Sequence, residues 1–183
     1  MLIRRITPDD RDALRAGFER LSDESRYRRF LSPIARLSDG QLDYLTRIDH
    51  HDHEALVAVD ASDAAGIVGV ARFVRSGEAE AEPAIVVADD WHGKGLGTAL
   101  LEDLARRSRE EGIERYRALV LAENEEALRL LRRVGEVRQH SAGAELEVEV
   151  VLNVEPSPER SLGTVLKAAA KGALTPGSRI SSA

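Results

Sequence analysis

A chain of 183 residues, 32% charged and 43% hydrophobic, is long enough for one domain with a substantial core. It contains no cysteine, which excludes a disulfide framework, a thiolate metal site and a cysteine nucleophile, and fits a cytoplasmic setting. A formal charge of −6, with three Phe, three Tyr and one Trp, argues against bulk nucleic-acid binding and against an aromatic stacking platform. No apolar run reaches the length of a membrane span, and MLIRRITPDD lacks the apolar region of a signal peptide.

Leu2 to Ile6 reads as a first strand, and Thr7-Pro8-Asp9-Asp10 as the cap of a helix running to about Leu21. Ser22-Asp23-Glu24-Ser25 begins a second helical segment with Tyr27, Phe30 and Leu31 as its apolar contacts, and Ser32-Pro33 breaks it. A third helix starts near Ser38, with Leu42, Leu45 and Ile48 at helical spacing. Asp49-His50-His51-Asp52-His53-Glu54 then gathers three histidines and three acids. None of its spacings is the i,i+4 histidine pair of a zinc helix, so no metal is expected. A solvated polar loop is the simplest reading, and a loop whose acids attract a cationic amine is another.

Ala55 to Val59 and Ile67 to Val74 read as strands joined by a polar hairpin over Asp60 to Gly66. Glu78 to Val87 is a fourth strand, in which Glu78, Glu80, Glu82, Ala84 and Val86 share one face. Pro83 cannot donate to a ladder, so a bulge or a local loss of pairing is expected there. Gly97 to Glu111 is an amphipathic helix with Leu100, Leu101, Leu104 and Ala105 on its core face. Arg106, Arg107, Arg109 and Glu110 belong to its solvated last turns, and Gly112 caps it. Arg117 to Leu121 is the fifth strand, and Asn124 opens a helix bearing Leu128, Leu131 and Val134 that Gly135 ends. Ala144 to Leu152, AELEVEVVL, alternates as a half-exposed antiparallel strand with its glutamates outward. Asn153 to Pro158 reads as a linker, residues 159–172 as one more amphipathic helix, and Thr175 to Ala183 as a frayed tail. The expected division is therefore a domain over 1–152 and an extension over 153–183.

The chemistry sits between the fourth strand and the long helix. Asp89-Asp90-Trp91 is followed by glycines in alternation, Gly93, Gly95 and Gly97, and a helix starts at once. Glycine lets a backbone approach a ligand closely, and a helix start offers unpaired N–H groups at the positive end of its dipole. Together they make a cradle for a phosphate or diphosphate. The spacing is neither the G-x-G-x-x-G of a dinucleotide fold nor the G-x-x-x-x-G-K-[ST] of a P-loop.

His92-Gly93-Lys94-Gly95-Leu96-Gly97 resembles instead the Q/R-x-x-G-x-G/A signature of the GNAT superfamily of acyl-CoA-dependent N-acyltransferases, with His92 where Gln or Arg is usual. Ala-Glu-Asn-x-x-x-Leu-x-Leu, starting at Ala122, resembles that family's later motif. Arg28 to Pro33, Leu45 to Asp49, Ala55 to Ala58, Gly69 to Arg72 and Ala81-Glu82-x-Ala84 are similar, more narrowly, to the acetyltransferase domain of bacterial Pat-type protein lysine acetyltransferases. The resemblance covers roughly residues 1–152. It implies an α/β (α+β) GNAT fold: a mixed, mostly antiparallel sheet of about six to seven strands flanked by helices and splayed between strands four and five. It implies acetyl-CoA as cosubstrate and no metal. It also implies a diphosphate held by backbone N–H groups over Gly93 to Thr98, and a pantetheine arm aligned along Ile85, Val86 and Val87. Val87 N–H is the candidate for polarising the thioester carbonyl. Asn124 is either a contact to the pantetheine or diphosphate or a plain helix cap, or both. Glu82 stands where the group has its general base, with Glu80 in reserve. Leu130 and Leu131 occupy the region in which many relatives carry a tyrosine acid, and Gly135-Glu136 stands for the usual Gly-Phe. The expected reaction is acetyl transfer to a primary amine, a protein lysine by resemblance. A small-molecule amine acceptor and a non-catalytic CoA-binding module are the alternatives.

Overall fold

The computed structural model describes residues 1–63 and 66–153. The predicted helix at 159–172 and the frayed tail lie outside the described residues. Strands β1 (Leu2–Arg5), β2 (His53–Val59), β3 (Ile67–Gly77), β4 (Glu80–Val87), β5 (Arg115–Leu121), β6 (Gly135–Ala142) and β7 (Glu145–Leu152) form one seven-stranded sheet. Its order is β1-β2-β3-β4-β5-β7-β6. Every pairing is antiparallel except β4 with β5. Helices α1 (Arg11–Glu19), α2 (Asp23–Phe30) and α3 (Asp39–Thr46) follow β1, α4 (Leu96–Glu110) crosses from β4 to β5, and α5 (Glu125–Val134) precedes β6.

The sheet separates two clusters. Leu96, Leu100, Leu101 and Leu104 of α4 pack on Leu56, Ala58, Ala71 and Phe73 of one face. Leu14 and Phe18 of α1 and Leu42 of α3 cover Ala55, Val57 and Val70 of the other. Burial on both faces explains why β2 and β3 read as continuous apolar runs. Gly69 lets α4 close down, because a Cβ there would stand 2.8 Å from Leu100 Cδ1. Ser38 and Gln41 form a reciprocal capping box at α3.

The splay between β4 and β5 is real. Only Glu80↔Arg115 and Ala81↔Tyr116 pair before the two strands part. The β3–β4 ladder runs straight through Phe73↔Pro83, and its irregularity lies at Arg75/Gly77 instead. Ala88 N–H donates to Val68 O on β3, whereas Ala79 O accepts from Arg115 N–H on the β5 side. Backbone polar groups alternate along a strand, so odd-numbered residues from 79 to 87 face β5 or the gap. Pro83 therefore lacks its N–H where no strand needs one: of the two expectations there, the bulge does not form, while the loss of pairing is found on the β5 side, where the ladder ends at Ala81.

Three sequence readings need correction. Residues 135–142, not assigned from sequence, form β6. His53 and Glu54, read as part of a solvated loop, begin β2 and are buried. Glu54 accepts from Arg5 at 3.0 Å, Arg107 at 3.2 Å, His50 at 2.6 Å and its neighbour's backbone at Ala55. Arg107, read as solvated, thus anchors the end of α4 to β1 and β2.

Candidate active site

A cleft of about 500 Å³ opens along the gap between β4 and β5, within the range of small-molecule sites. Glu82, Ile85, Val86, Val87, His92, Gly93, Gly95, Leu96, Gly97, Thr98 and Asn124 all line it. Lys94, the remaining residue of the predicted set, is not on the cleft wall, and its Nζ lies 4.9 Å above the ring of Trp91.

At the turn, Gly93 (φ +69°) and Gly95 (φ +82°) take left-handed backbone, which side chains disfavour. Gly97 has a different setting: a Cβ there would make a tight 3.3 Å contact with the end of Leu130 on α5 and an ordinary 3.7 Å contact with Val87 on β4, so a small residue suits the crossing. Ala99 N–H bonds to Gly95 O, which leaves the N–H groups of Leu96, Gly97 and Thr98 as the open start of a helix. Asn124 Oδ1 accepts from Ala127 N–H at 3.1 Å, so its capping role is present while the residue also faces the cleft. His92 Nε2 donates to Val87 O at 3.0 Å. That bond fixes the end of β4 and turns the imidazole toward the strand.

The two acids of the preceding turn were not singled out for any role, and they anchor the opposite wall. Asp89 accepts from Ser22 N–H at 2.8 Å and from Ser25 Oγ at 2.5 Å, and Asp90 pairs with Arg20 at 2.8 Å. These bonds tie the start of α2 to the glycine turn. Partners more than sixty residues apart leave no local signal in the sequence.

That wall carries Arg28, Arg29, Phe30 and Leu31, and it faces Glu82. Glu82 is exposed, and among the described residues it has no hydrogen bond or ion pair. Glu80, on the same strand face, is held by Arg117 at 3.0 Å and Ser76 at 3.4 Å. Burial pulls the Arg29 guanidinium below its ordinary range, and the charge of Glu82 opposes that pull. Beneath lies Arg72, 5% exposed, which burial and then the neighbouring Arg29 push down to about 9. His53, next to Arg72, is held down to about 4 by burial and by that cation.

The acidic-histidine stretch sits elsewhere. Asp49 Oδ1 gathers the N–H groups of His51, Asp52 and His53, each at 2.9 Å. His51 reaches Glu111 beyond the far end of α4, and Asp52 pairs with Arg75. None of residues 49–54 lines the cleft. Among the described residues no group of three His, Asp or Glu side chains is placed to hold a metal ion, and no helix is long and apolar enough to cross a membrane.

A parallel strand pair that splays over a glycine-rich helix start defines an acyl-CoA-dependent transferase architecture. The acetyltransferase (GNAT) family profile matches residues 17–135, and the chain belongs to that family. It is 32% identical over 137 residues to the acetyltransferase Pat of Mycolicibacterium smegmatis, covering 74% of this chain and 40% of that protein. It is 33% identical over 126 residues to an acetyltransferase of Pseudomonas aeruginosa, covering 68% of each. The GNAT domain of S. lividans PAT superposes with a TM-score of 0.74 at 32% identity, over 82% of this chain and 89% of that domain. The chain thus spans less than half the length of the Mycolicibacterium protein. By family it is a transferase of acyl groups, of the acetyltransferase type.

Proposed function

We propose that the chain transfers an acetyl group from acetyl-CoA to a primary amine, with a protein lysine as the favoured acceptor and Glu82 as the general base. The isolation of Glu82 carries this reading. It is a carboxylate on the cleft wall with no hydrogen-bond or ion-pair partner among the described residues, while the alternative, Glu80, is occupied by Arg117. On this account the diphosphate lies against the N–H groups from Gly93 to Thr98, and the pantetheine runs along Ile85 to Val87. Asn124 borders the arm.

An alkylammonium group with a pKa near ~10.4 must lose its proton before it attacks. Glu82 takes that proton, directly or through a water. The neutral amine attacks the thioester carbonyl, whose oxygen Val87 N–H polarises from the gap-facing side of β4. The nitrogen sheds its second proton to solvent water, the C–S bond breaks as the amide forms, and the CoA thiolate leaves. Leu130 and Leu131 offer no proton at that point, so water protonates the thiolate. The resemblance of Arg28 to Pro33 and Ala81-Glu82-x-Ala84 to Pat-type protein lysine acetyltransferases supports lysine as acceptor, and the absence of cysteine fits a cytoplasmic setting.

The test is release of free CoA thiol from acetyl-CoA with lysine-containing peptides. Glu82→Gln is expected to lower kcat by about 10²–10⁴-fold while leaving acetyl-CoA affinity unchanged. Turnover unaltered by the substitution removes Glu82 as base. Acetyl-CoA binding without turnover in either protein favours the non-catalytic CoA-binding module.

A further inference from the structure

We propose that Arg29 and Arg72 form an anion-holding subsite at the acceptor end of the cleft, so that the acceptor carries a carboxylate close to the amine that is acetylated. The proposal rests on the transfer reading above and specifies its substrate class.

A small chamber of about 50 Å³ lies under α1, α2 and the edge of α3. It shares Arg29, Phe30, Ala84 and Val86 with the cleft wall. Its lining is apolar apart from Arg29 and Arg72. The Arg72 guanidinium touches only neutral acceptors: Leu45 O at 3.4 and 3.5 Å and His53 Nε2 at 3.1 Å. No described carboxylate comes within ion-pair distance of it. Arg29 has no hydrogen bond to any described residue and lies 4.7 Å from the centre of the Phe30 ring.

Other partly buried arginines of this protein are paired. Arg107 meets Glu54, Arg20 meets Asp63 and Arg4 meets Asp10. Buried guanidinium groups without a counter-charge are costly, and two that repel each other are costlier. Glu82 supplies one negative charge at a distance against two positive ones, so one remains uncompensated. A carboxylate offers the two oxygens that a guanidinium fork matches. A chamber of this size admits such a group. Ala84 is two residues along the same strand face from Glu82, which places an anion in the chamber beside an amine at Glu82.

The anion has two sources, the acceptor's own carboxylate or an acidic neighbour of a protein lysine. Two acceptor pairs separate them: Nα-acetyl-lysine against its C-terminal amide, and a neutral-ended peptide in which Lys is flanked by Glu against one flanked by Gln. In at least one pair the acidic member is expected to have a kcat/KM about tenfold or more higher. Arg29→Gln and Arg72→Gln are each expected to shrink that ratio to about twofold or less. Arg29→Gln, on the cleft wall, keeps the test available if the buried substitution fails to fold. Equal kcat/KM within both pairs overturns the proposal while leaving acetyl transfer intact. If no acceptor is acetylated at all, the transfer reading fails, and melting temperature becomes the separate readout. A rise with the acid but not the amide, lost in Arg29→Gln, supports the subsite. An equal rise with both, with sodium chloride at matched ionic strength, or no rise, overturns it.

Discussion

At the scale of single residues, the cleft works through contrast between neighbours of the same type. Glu80 and Glu82 share a strand face, yet one is locked to Arg117 and the other has no hydrogen-bond or ion-pair partner among the described residues. His53 shows how far a buried neighbour sets charge state. Its Nε2 accepts from Arg72, so the ring is neutral with its proton on Nδ1. The folded protein holds this histidine near about 4, against 6.5 for the exposed group. Below 6.5 the unfolded chain binds a proton that the folded chain refuses, so stability falls as pH drops from about 6.5 to about 4. The expected loss is on the order of 3 kcal/mol. Denaturant midpoints of wild type and His53→Gln across that window should diverge, with the variant flatter. Parallel curves would show that His53 is protonated in the folded state.

At the scale of elements, the positions of α2 and α4 relative to the sheet decide the geometry of the cleft. Asp89 and Asp90 hold α2 to the glycine turn, and Glu54 holds the end of α4 to β1 and β2 through Arg107 and Arg5. Removing one member of a buried ionic cluster leaves the others uncompensated. Glu54→Gln is expected to cost about 3–5 kcal/mol, read as a lower denaturant midpoint with an unchanged m-value. A change below about 0.5 kcal/mol would mean that the cluster holds nothing together. The same residues mark the limit of what the sequence discloses. The leucine spacing of α4 and the alternation of β7 reach the eye because each repeats a period against one core. Glu54 looks like part of a polar loop because its partners, Arg5 and Arg107, are about fifty residues away on either side. β6, GEVRQHSA, escapes notice because it lies at the sheet edge with mostly exposed residues and no apolar alternation. Gly135, read as a helix stop, has a second duty that no local pattern reveals: a side chain there would strike the backbone carbonyl of Val151 on β7.

At the scale of the whole molecule, one topological fact organises the rest. The parallel pair β4–β5 needs a crossover, α4 supplies it, and its open N-terminus lands beside the point where the strands part. The Gly93-x-Gly95-x-Gly97 turn and the strand before it were readable because that junction requires particular backbone. The Arg29–Arg72 side of the cleft was not, since both look like ordinary members of an amphipathic helix and an apolar strand until α2 is laid over β3. Binding of the acyl donor in this junction is the claim on which the other readings depend. Calorimetric titration of the protein with acetyl-CoA tests it most directly. The account predicts saturable one-site binding in the micromolar range, which CoA itself competes for. The absence of any heat of binding with either ligand would contradict it, leaving the fold without the chemistry derived from it.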